Sequence, residues 1–470
     1  MQPTSLAFQS KAAAALADPN LQTALGGIKT GWQRGRILAA DRLPEFEQLR
    51  DQARDIKNHA LANLDFYLEA FEARVLDAGG QVHWARDAAE ARRIIQEICE
   101  SAGAKTVTKS KSMIAEEIGL NDHLEAAGIT PVETDLGEYI IQLRKEPPSH
   151  LVGPAVHLTK DQVADLFEQT HGLPRTDDPT ELVGQARTVL RQKYLQADVG
   201  ITGANFLIAE TGSAITVTNE GNAELTQGLP KVHVVIASLE KVIPSMEDAF
   251  TLLRVLARSA TGQEFSAYTT VMTGPKRQGD LDGPEQFHVV LLDNGRTGMI
   301  GSKFQDMLRC IRCGACMNNC PVYLAAGGHA YGWVYVGPMG SVLTPQFVGI
   351  ESAHTLPNAS TFCGRCEEVC PVRIPLPNLM RHWREEQFKR QLVPSTVRYG
   401  LGTWGFFARR PALYRLATRL AMGVLGRLGK KRGRFASLPL AEGWTVSRDL
   451  PAPQGRTFMQ QWRQRQRSRP

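Results

Sequence analysis

Seven of the eight cysteines in this 470-residue chain fall between Cys310 and Cys370. Four of them form the run Cys310-Ile-Arg-Cys313-Gly-Ala-Cys316-Met-Asn-Asn-Cys320-Pro321. This C-x2-C-x2-C-x3-C-P spacing is typical of bacterial two-cluster ferredoxins, in which the first three thiolates bind one iron-sulfur cluster and the fourth binds another. The run therefore predicts iron-sulfur chemistry, and electron transfer as its use.

A second motif, Cys363-Gly-Arg-Cys366-Glu-Glu-Val-Cys370-Pro371, matches the last three cysteines of the first, and Ser360 stands where the opening cysteine would be. Since the fourth cysteine of each run binds the other cluster, we expect crossed ligand sets. These are Cys310, Cys313, Cys316 and Cys370 for cluster 1, and Cys320, Cys363 and Cys366 for cluster 2. Cluster 1 is then a [4Fe-4S] cluster. Cluster 2 is a [3Fe-4S] cluster, or a [4Fe-4S] cluster whose last iron is bound by Ser360, water or a partner's ligand.

Zinc is the alternative metal for these motifs. Four ligands in two pairs suffice for zinc, which would leave three closely spaced cysteines followed by Cys-Pro unexplained. Cys99 stands apart, on the apolar side of a segment with helical period, four residues after Ile95. Free cysteines in such a setting are commonly buried and inert, so we expect Cys99 to bind no iron.

The elements that must position these motifs can be read from hydrophobic periodicity. Before about residue 75, apolar residues between Phe46 and Leu68 recur at steps of three and four, which predicts helices. From residue 81, short β-rich runs alternate with helical segments, which predicts βαβ units and an α/β domain. The runs are Gln81–Trp84, Lys105–Lys109, Val232–Ala237 and His288–Leu292, and the helical segments are Ala88–Ala102, Ser112–Ala127, Asp161–His171, Pro179–Gln196 and Glu247–Ala260.

Residues 198–221 are extended and punctuated by glycine, which predicts two strands around a turn at Thr211–Ser213. The βα rhythm ends near residue 300. The predicted organisation is a helical segment over 1–75, an α/β domain over 76–300, a mainly helical ferredoxin-like domain over 301–385, and a basic extension over 386–470.

Composition and charge indicate which class of protein the chain belongs to. With 43% hydrophobic and 22% charged residues and no run of about 18 apolar residues, the chain is predicted to be globular, not disordered, fibrous or membrane-spanning. The first residues carry no basic region leading into an apolar one, so we expect no secretion signal and a cytoplasmic protein. Residues 381–470 contain 20 Lys and Arg but only four Asp and Glu, whereas residues 1–380 contain 34 Lys and Arg and 44 Asp and Glu. The C-terminal part is therefore strongly basic, and the rest of the chain is net acidic.

The basic extension contains one amphipathic segment. Leucines and a valine from Leu413 to Leu428 fall on one helical face, with Arg415 and Arg419 away from it. Such a helix can lie on an anionic membrane surface, fill a partner's groove or pack on its own protein, so we expect peripheral contact at the inner face of the membrane or with a partner. No nucleic-acid recognition motif accompanies the charge, and no nucleic-acid partner is expected.

Taken together, these features resemble the LutB-type lactate utilisation iron-sulfur proteins, which combine a LUD domain with a two-cluster ferredoxin-like module. The residues that carry the resemblance are the segment Thr202-Gly-Ala-Asn-Phe-Leu-Ile-Ala-Glu-Thr-Gly-Ser213, the two cysteine motifs with their Cys-Pro-Val endings, Ile374-Pro-Leu-Pro377 and the basic extension. The likeness covers most of the chain. It implies a LUD fold that looks like the group of CoA transferases and ribose-5-phosphate isomerase.

The resemblance also implies a function. The chain would be the iron-sulfur electron-transfer subunit of an oxidoreductase complex that oxidises L-lactate to pyruvate and allows growth on lactate. Its partners would be a CCG-domain iron-sulfur subunit and a smaller LUD-domain subunit. Two alternatives are a LUD-domain enzyme of transferase or isomerase type with purely structural clusters, and a nucleic-acid-binding iron-sulfur protein.

A substrate cleft can be sought where strands give way to helices. Lys109-Ser-Lys-Ser112 ends a strand and begins a helix, where Lys109 and Lys111 could hold a carboxylate, although a capped, solvated helix start explains them as well. Glu210 and Ser213 could line the same cleft, and Glu220 could supply a base, although a plain hairpin turn explains the neighbouring glycines equally. The sequence has no G-x-G-x-x-G after a strand and no P-loop, so no nucleotide or flavin site is indicated by motif.

Overall fold

A computed structural model describes residues 2–438, 442–445 and 448–467. These residues form two compact units, one ending at Gln387 and one beginning at Phe388. The predicted basic extension includes residues 439–441, 446–447 and 468–470, which lie outside the described residues. The predicted domain boundaries at 75, 300 and 385 stay predictions.

Five helices open the first unit, as the periodicity before residue 75 predicts: α1 (Phe8–Ala17), α2 (Pro19–Ile28), α3 (Arg34–Asp41), α4 (Phe46–Ala62) and α5 (Leu64–Asp77). Helix α4 buries Phe46, Leu49 and Ala53 on the predicted face. Asp18 caps α2, because its carboxylate accepts the N–H groups of Asn20 and Leu21.

Ten strands follow: β1 (Gln81–Ala85), β2 (Thr106–Lys109), β3 (Thr130–Glu133), β4 (Val199–Gly203), β5 (Phe206–Ile208), β6 (Ser213–Thr218), β7 (Val232–Ser238), β8 (Val242–Ile243), β9 (Tyr268–Met272) and β10 (Gln286–Leu292). Six of them form a wholly parallel sheet in the order β1-β10-β7-β4-β2-β3. The central strands β7 and β10 are almost fully buried, as expected for strands covered on both faces. The α/β prediction is therefore confirmed.

The two strands predicted around a turn near Thr211–Ser213 are confirmed as the hairpin of β5 and β6, but the prediction for residues 198–221 missed a third strand. This stretch contains three strands: β4 belongs to the parallel sheet, and the antiparallel hairpin of β5 and β6 belongs to a separate four-stranded sheet, ordered β8-β5-β6-β9. Ala204 and Asn205 carry the chain from one sheet to the other. A continuous apolar and glycine-rich pattern does not mark such a change of sheet, because buried strands of both sheets have the same composition.

Eight helices accompany these strands: α6 (Ala88–Ser101), α7 (Met113–Ile118), α8 (Leu120–Ala126), α9 (Leu136–Arg144), α10 (Lys160–His171), α11 (Pro179–Leu195), α12 (Asn222–Gly228) and α13 (Met246–Ala260). The helix predicted over 112–127 is broken at Gly119, whose left-handed backbone (φ 65°) ends α7 and begins α8. Apolar side chains of α6, α7 and α8 pack on one face of the parallel sheet, and those of α5 pack with its other face and the second sheet.

The cysteine-bearing region is mainly helical, as predicted, and consists of short helices: α14 (Ala315–Asn318), α15 (Tyr323–Ala326), α16 (Gly337–Val348), α17 (Ile350–Ala353), α18 (Arg365–Glu368) and α19 (Leu376–Lys389). The N-terminal helices pack on it. Ser5 donates to the Tyr331 carbonyl at 2.8 Å, and Gln22 donates to the Ala325 carbonyl at 2.9 Å.

The second unit contains α20 (Ser395–Ala408), α21 (Pro411–Gly429), α22 (Glu442–Thr445) and α23 (Phe458–Arg467), with a short antiparallel pair, β11 (Arg434–Phe435) and β12 (Leu450–Pro451). Helix α21 matches the amphipathic segment predicted from Leu413 to Leu428. Within the described ranges, no helix is both long enough and apolar enough to cross a bilayer.

Gly200 tests the packing of the parallel sheet. A Cβ at Gly200 in β4 would collide with the Thr226 carbonyl oxygen of α12. Gly200→Ala should therefore destabilise the chain by about 1–3 kcal/mol, as overpacking does. Gly184 in α11 has nothing within 4 Å of an added Cβ, so Gly184→Ala should stabilise it by about 0.5–1 kcal/mol. Urea unfolding followed by circular dichroism measures both, and equal effects of the two substitutions would contradict this packing.

Candidate iron-sulfur centre and adjoining cleft

Four cysteines from the two motifs converge on one small cavity. They are Cys310, Cys313, Cys316 and Cys370, the set expected for cluster 1. The other lining is largely apolar and includes Met307, Ile311 and Val372. The remaining three motif cysteines do not line this cavity, so the two motifs are interleaved in space.

The other three motif cysteines lie near one another. Burial, followed by the charges of Cys320 and Cys363, raises the pKa of the Cys366 thiol to about 12. Burial and the charge of Cys363 likewise raise the pKa of Cys320. Cys363 is exposed, whereas Cys320 and Cys366 are buried. Ser360 precedes Cys363 by three residues in the chain, and its hydroxyl accepts the Phe362 N–H at 3.1 Å.

The two motifs share one backbone conformation. In the first, Arg312 and Gly314 flank Cys313 with positive φ angles of 60° and 74°. In the second, Phe362 and Gly364 flank Cys363 with φ angles of 55° and 82°. Left-handed residues other than glycine are uncommon, so this matching pair of turns marks a structural repeat behind the repeated sequence.

The donor set fits an iron-sulfur cluster. The sulfurs of the first set face a common space, and backbone N–H groups point at them: that of Ile374 lies 3.4 Å from Cys370 Sγ, and that of Ala315 donates to Cys313. Such N–H···S contacts adjust the potential of a bound cluster. Burial raises the pKa of the Cys313 thiol, so the charged thiolate that coordinates iron is not favoured there without the metal.

Two arginines of the N-terminal helices hold the second motif in place. Arg50 of α4 donates to the carbonyls of Glu368 and Cys370 at 2.5 and 2.8 Å, and Arg36 of α3 donates to that of Val369 at 3.3 Å. The carbonyls of Glu368 and Val369 lie at the end of α18, where helix carbonyls lack intrahelical partners, and the carbonyl of Cys370 also accepts the Arg373 N–H at 3.2 Å. Sequence reasoning missed this contact, since neither arginine lies in a motif.

A buried ionic network joins the α/β domain to the cysteine region. Arg296 pairs with Glu117 at 2.6 Å and with Glu240 at 3.0 Å, while Arg312 pairs with Glu240 at 3.4 Å. Burial alone would raise the pKa of Glu240, but the charges of Arg296 and Arg312 hold it at about 2. Tyr335 donates to Glu117 at 2.5 Å. Burying these charges costs desolvation energy, and their mutual pairing offsets that cost.

A cleft of about 220 Å³ adjoins the cysteine cavity. It lies at the carboxyl ends of strands of the parallel sheet, where ligands of open α/β sheets bind. Its lining includes Lys111, Asp135, Glu220, Lys241 and Arg312. Leu151 and Cys313 line both the cleft and the cysteine cavity, so they form the wall between the two spaces.

Lys111 and Glu220 are the two predicted cleft residues that the structure brings into this cleft. Lys111 Nζ lies 3.2 Å from a carboxylate oxygen of Asp135 and donates to the Val152 carbonyl at 3.0 Å. Glu220 accepts the Leu136 N–H at 2.9 Å. Burial and the nearby charge of Asp135 raise the pKa of Glu220, although Lys111 opposes them.

Lys109, Glu210 and Ser213 do not line the cleft, contrary to the prediction. Lys109 points into the domain, with Nζ 2.9 Å from Glu116 and 2.6 Å from Glu133. Burial opposes its charge, but these carboxylates raise its pKa above the usual value. Glu210 and Ser213 lie at the opposite end of the second-sheet hairpin from Glu220, because the strand β6 between them spans about 16 Å.

The outlying thiol is buried in the domain core, as predicted. Cys99 lies on α6 among apolar side chains of the face covered by α6, α7 and α8. Burial raises its pKa to about 12, so the thiol stays protonated and unreactive at neutral pH.

Comparison with known families agrees with this architecture. A LUD domain model matches residues 68–292, a 4Fe-4S dicluster domain model matches residues 306–374, and a model described as lactate utilisation protein B, C-terminal, matches residues 382–467. Fold and site thus define an iron-sulfur protein built on a LUD domain. The predicted fold class, with its ferredoxin-like region, is confirmed.

Curated relatives extend over the whole chain. Lactate utilization protein B of Bacillus velezensis is 40% identical over 100% of this chain and 99% of its own length. Those of Geobacillus kaustophilus and Bacillus subtilis are 43% and 40% identical, covering 95% and 96% of this chain and 94% and 95% of their own. The chain belongs to the lactate utilization protein B family. A solved DUF162 family protein from Deinococcus radiodurans is also similar, at 14% identity and a TM-score of 0.28, over 49% of this chain and 98% of its own.

His150 connects the cleft to the cysteine region. Its Nδ1 accepts the N–H groups of Val152 and Gly153 at 3.0 and 3.2 Å, so its Nε2 carries the proton and donates to Asn318 Oδ1 at 2.9 Å. A second proton on Nδ1 would break both backbone contacts. Burial also lowers the pKa of His150 to about 3.

This histidine should make the folded chain sensitive to acid. The folded-state pKa lies below the ordinary value of about 6.5, so the unfolded chain binds the proton first and stability falls as pH drops from about 6.5 towards 3. Between pH 7.5 and 5.5, His150 should account for a loss of about 1.4 kcal/mol. Anaerobic urea unfolding measures the free energy of unfolding at both pH values. For His150→Gln, its decrease from pH 7.5 to 5.5 should be smaller than that of the wild type by about 1.4 kcal/mol. The exposed control His59→Gln should match the wild type, and equal slopes for both variants would contradict the assignment.

Proposed function

We propose that this chain is the iron-sulfur electron-transfer subunit of a complex that oxidises L-lactate to pyruvate and so allows growth on lactate. The observation that carries the proposal is the convergence of Cys310, Cys313, Cys316 and Cys370 on one buried cavity beside a polar cleft. Relatives that match the chain from end to end bear the name lactate utilization protein B, which supports the substrate.

Two clusters serve this role in the proposal. Cluster 1 is a [4Fe-4S] cluster on the four cysteines of the shared cavity, and cluster 2 is a [4Fe-4S] or [3Fe-4S] cluster on Cys320, Cys363 and Cys366. When bound, such clusters supply one-electron transfer. Oxidation of lactate to pyruvate releases two electrons and two protons, so two neighbouring one-electron acceptors would together take the electrons of one turnover.

The proposed partners are a CCG-domain iron-sulfur subunit and a smaller LUD-domain subunit, as the family resemblance implies. The proposed location is the cytoplasm, with peripheral contact at the inner face of the membrane. Helix α21 supports that contact, because its apolar face is exposed: Leu416, Leu420 and Leu428 are 55%, 63% and 70% exposed. Basic amphipathic helices of this kind bind anionic lipid surfaces.

Anaerobic reduction tests the proposed function. The purified chain, alone and with its two proposed partners, would receive L-lactate while cluster absorbance is followed and pyruvate is measured. We expect bleaching and stoichiometric pyruvate with the complete assembly, and none with D-lactate. An assembled, iron-loaded complex that neither bleaches nor yields pyruvate would refute the proposal.

Crossed ligation makes a specific prediction for Cys370. The wild-type chain should hold about seven to eight irons, from one four-thiolate and one three-thiolate site. Cys370→Ser should disturb the cluster of the first motif, about 50 residues away in sequence, and leave the three-thiolate cluster in place. Iron analysis and EPR of the reduced protein measure this, and Cys99→Ala is the control that should keep all iron. Loss of the three-thiolate signal in Cys370→Ser would show that the sets are not crossed.

Membrane contact can be tested by placing a charge on either of the two faces of helix α21. Leu420→Glu places a charge on the exposed apolar face of α21, whereas Thr418→Glu places the same charge two residues away, on the other side. Leu420→Glu should reduce sedimentation with vesicles of 30% anionic phospholipid by several-fold, and Thr418→Glu should reduce it less. Equal effects would indicate simple charge repulsion. Unchanged vesicle binding with weakened subunit assembly would assign the face to a partner instead.

A further inference from the structure

The cleft contains buried polar groups that have no partner in the described part of the chain. The Ser110 hydroxyl and the Asn222 Oδ1 atom are buried and make no hydrogen bond, and both residues line the cleft. Lys241 lines it too, and although it is only 6% exposed, its ammonium makes no hydrogen bond or ion pair with any described residue. Leaving such groups unpaired is costly unless something else meets them.

Lys241 differs in this respect from the other deeply buried lysines. Lys57 donates to the Glu240 carbonyl, and Lys109 is paired with two carboxylates. Lys241 follows the carboxyl end of β7, through a single turn over Leu239–Lys241. A buried cation that faces a cleft at this edge of a parallel sheet is suited to an anionic ligand.

The neighbours of Lys241 define where that anion would lie. Arg312 and Cys313 line the same cleft, and Cys313 also lines the cysteine cavity. Arg312 is held by Glu240 at 3.4 Å, which fixes its position while leaving other donors of its guanidinium for a ligand. An anion at this end of the cleft would be separated from the cysteine cavity only by its wall.

We propose that this end of the cleft binds the carboxylate of a small 2-hydroxy acid, with Lys241 and Arg312 as its cationic contacts. The inference rests on the proposed function and deepens it, because it assigns substrate binding to this chain and not to a partner subunit. Asn222 Oδ1 is a free acceptor and suits the hydroxyl of such an acid, which a plain carboxylic acid lacks. The cleft is larger than a three-carbon acid, which therefore occupies only part of it.

The test is calorimetric titration of the iron-loaded full-length chain, without partners, under anaerobic conditions. The probes are L-lactate, propionate and inorganic phosphate. We expect L-lactate to bind, propionate to bind about tenfold more weakly, and phosphate not to compete. Lys241→Met should weaken L-lactate binding about 10- to 100-fold, as expected for loss of a charged hydrogen bond. The matched control is Lys231→Met, which removes an exposed lysine at the opposite end of β7 and should bind as the wild type does.

A second readout separates ligand binding from a merely electrostatic role. The charge of Cys310 also acts on Lys241, so the ammonium could serve only to balance a cluster. Lys241→Met with unchanged lactate affinity and a shifted cluster potential would establish that role and overturn the proposal. Should Lys241→Met lose iron, Asn222→Ala replaces it and is expected to weaken lactate several-fold while leaving propionate unchanged.

The outcomes also distinguish this inference from the proposed function. If the chain binds no lactate but the complete complex is still reduced by it, the function stands and the site belongs to a partner. If the chain binds lactate as expected but the complex is never reduced, the site stands and the function fails. Equal binding of phosphate and lactate at Lys241 would overturn the assignment of a carboxylate.

Discussion

The structure depends on one constraint: Cys370 must lie against three cysteines that precede it by more than 50 residues. The intervening chain has to leave the first motif and return, and it does so as a series of short buried helices from α14 to α18. The return is stabilised from outside the cysteine region, by Arg36 and Arg50, which bind the carbonyls that end α18. The N-terminal helices are therefore part of the centre's framework, although they contain no cysteine.

The same constraint determines where the cleft lies. Glu117 and Glu240 belong to the α/β domain, and their partners Arg296 and Arg312 lead into the first cysteine motif. Buried ion pairs contribute little net stability, since desolvation offsets most of the attraction, but an unpaired partner is severely penalised. The network therefore favours the observed position of the cysteine motif on the sheet, in which Glu117, Glu240, Arg296 and Arg312 each have an oppositely charged partner. In that position, Cys313 forms part of the wall of the cleft.

Local signals predicted much of this from the sequence. The cysteine spacing anticipated which thiols share a cavity, and the periodicity of α4 and α6 marked their buried faces. Strand β3 and helix α9 were missed, because the strand has only four residues and begins next to a proline. The ionic network and the arginine contacts were also missed, since they join residues up to 333 positions apart that share no motif. Long-range pairing of this kind has no local signature, and only the folded chain shows which charges meet.

The two lysines at strand ends show why a cleft could be predicted more reliably than its residues. Lys109 ends β2 and Lys241 follows β7, so by position either one suits an anion site at the carboxyl edge of the sheet. The difference lies in their neighbours: Glu116 and Glu133 neutralise Lys109, and a ligand could bind it only by displacing a buried ion pair. Lys241 has no such competitor, and its adjacent carboxylate, Glu240, is already engaged by two arginines. A buried cation is therefore available to a ligand only where no neighbouring carboxylate is free to pair with it. That condition depends on the fold around the cation and not on the strand that carries it.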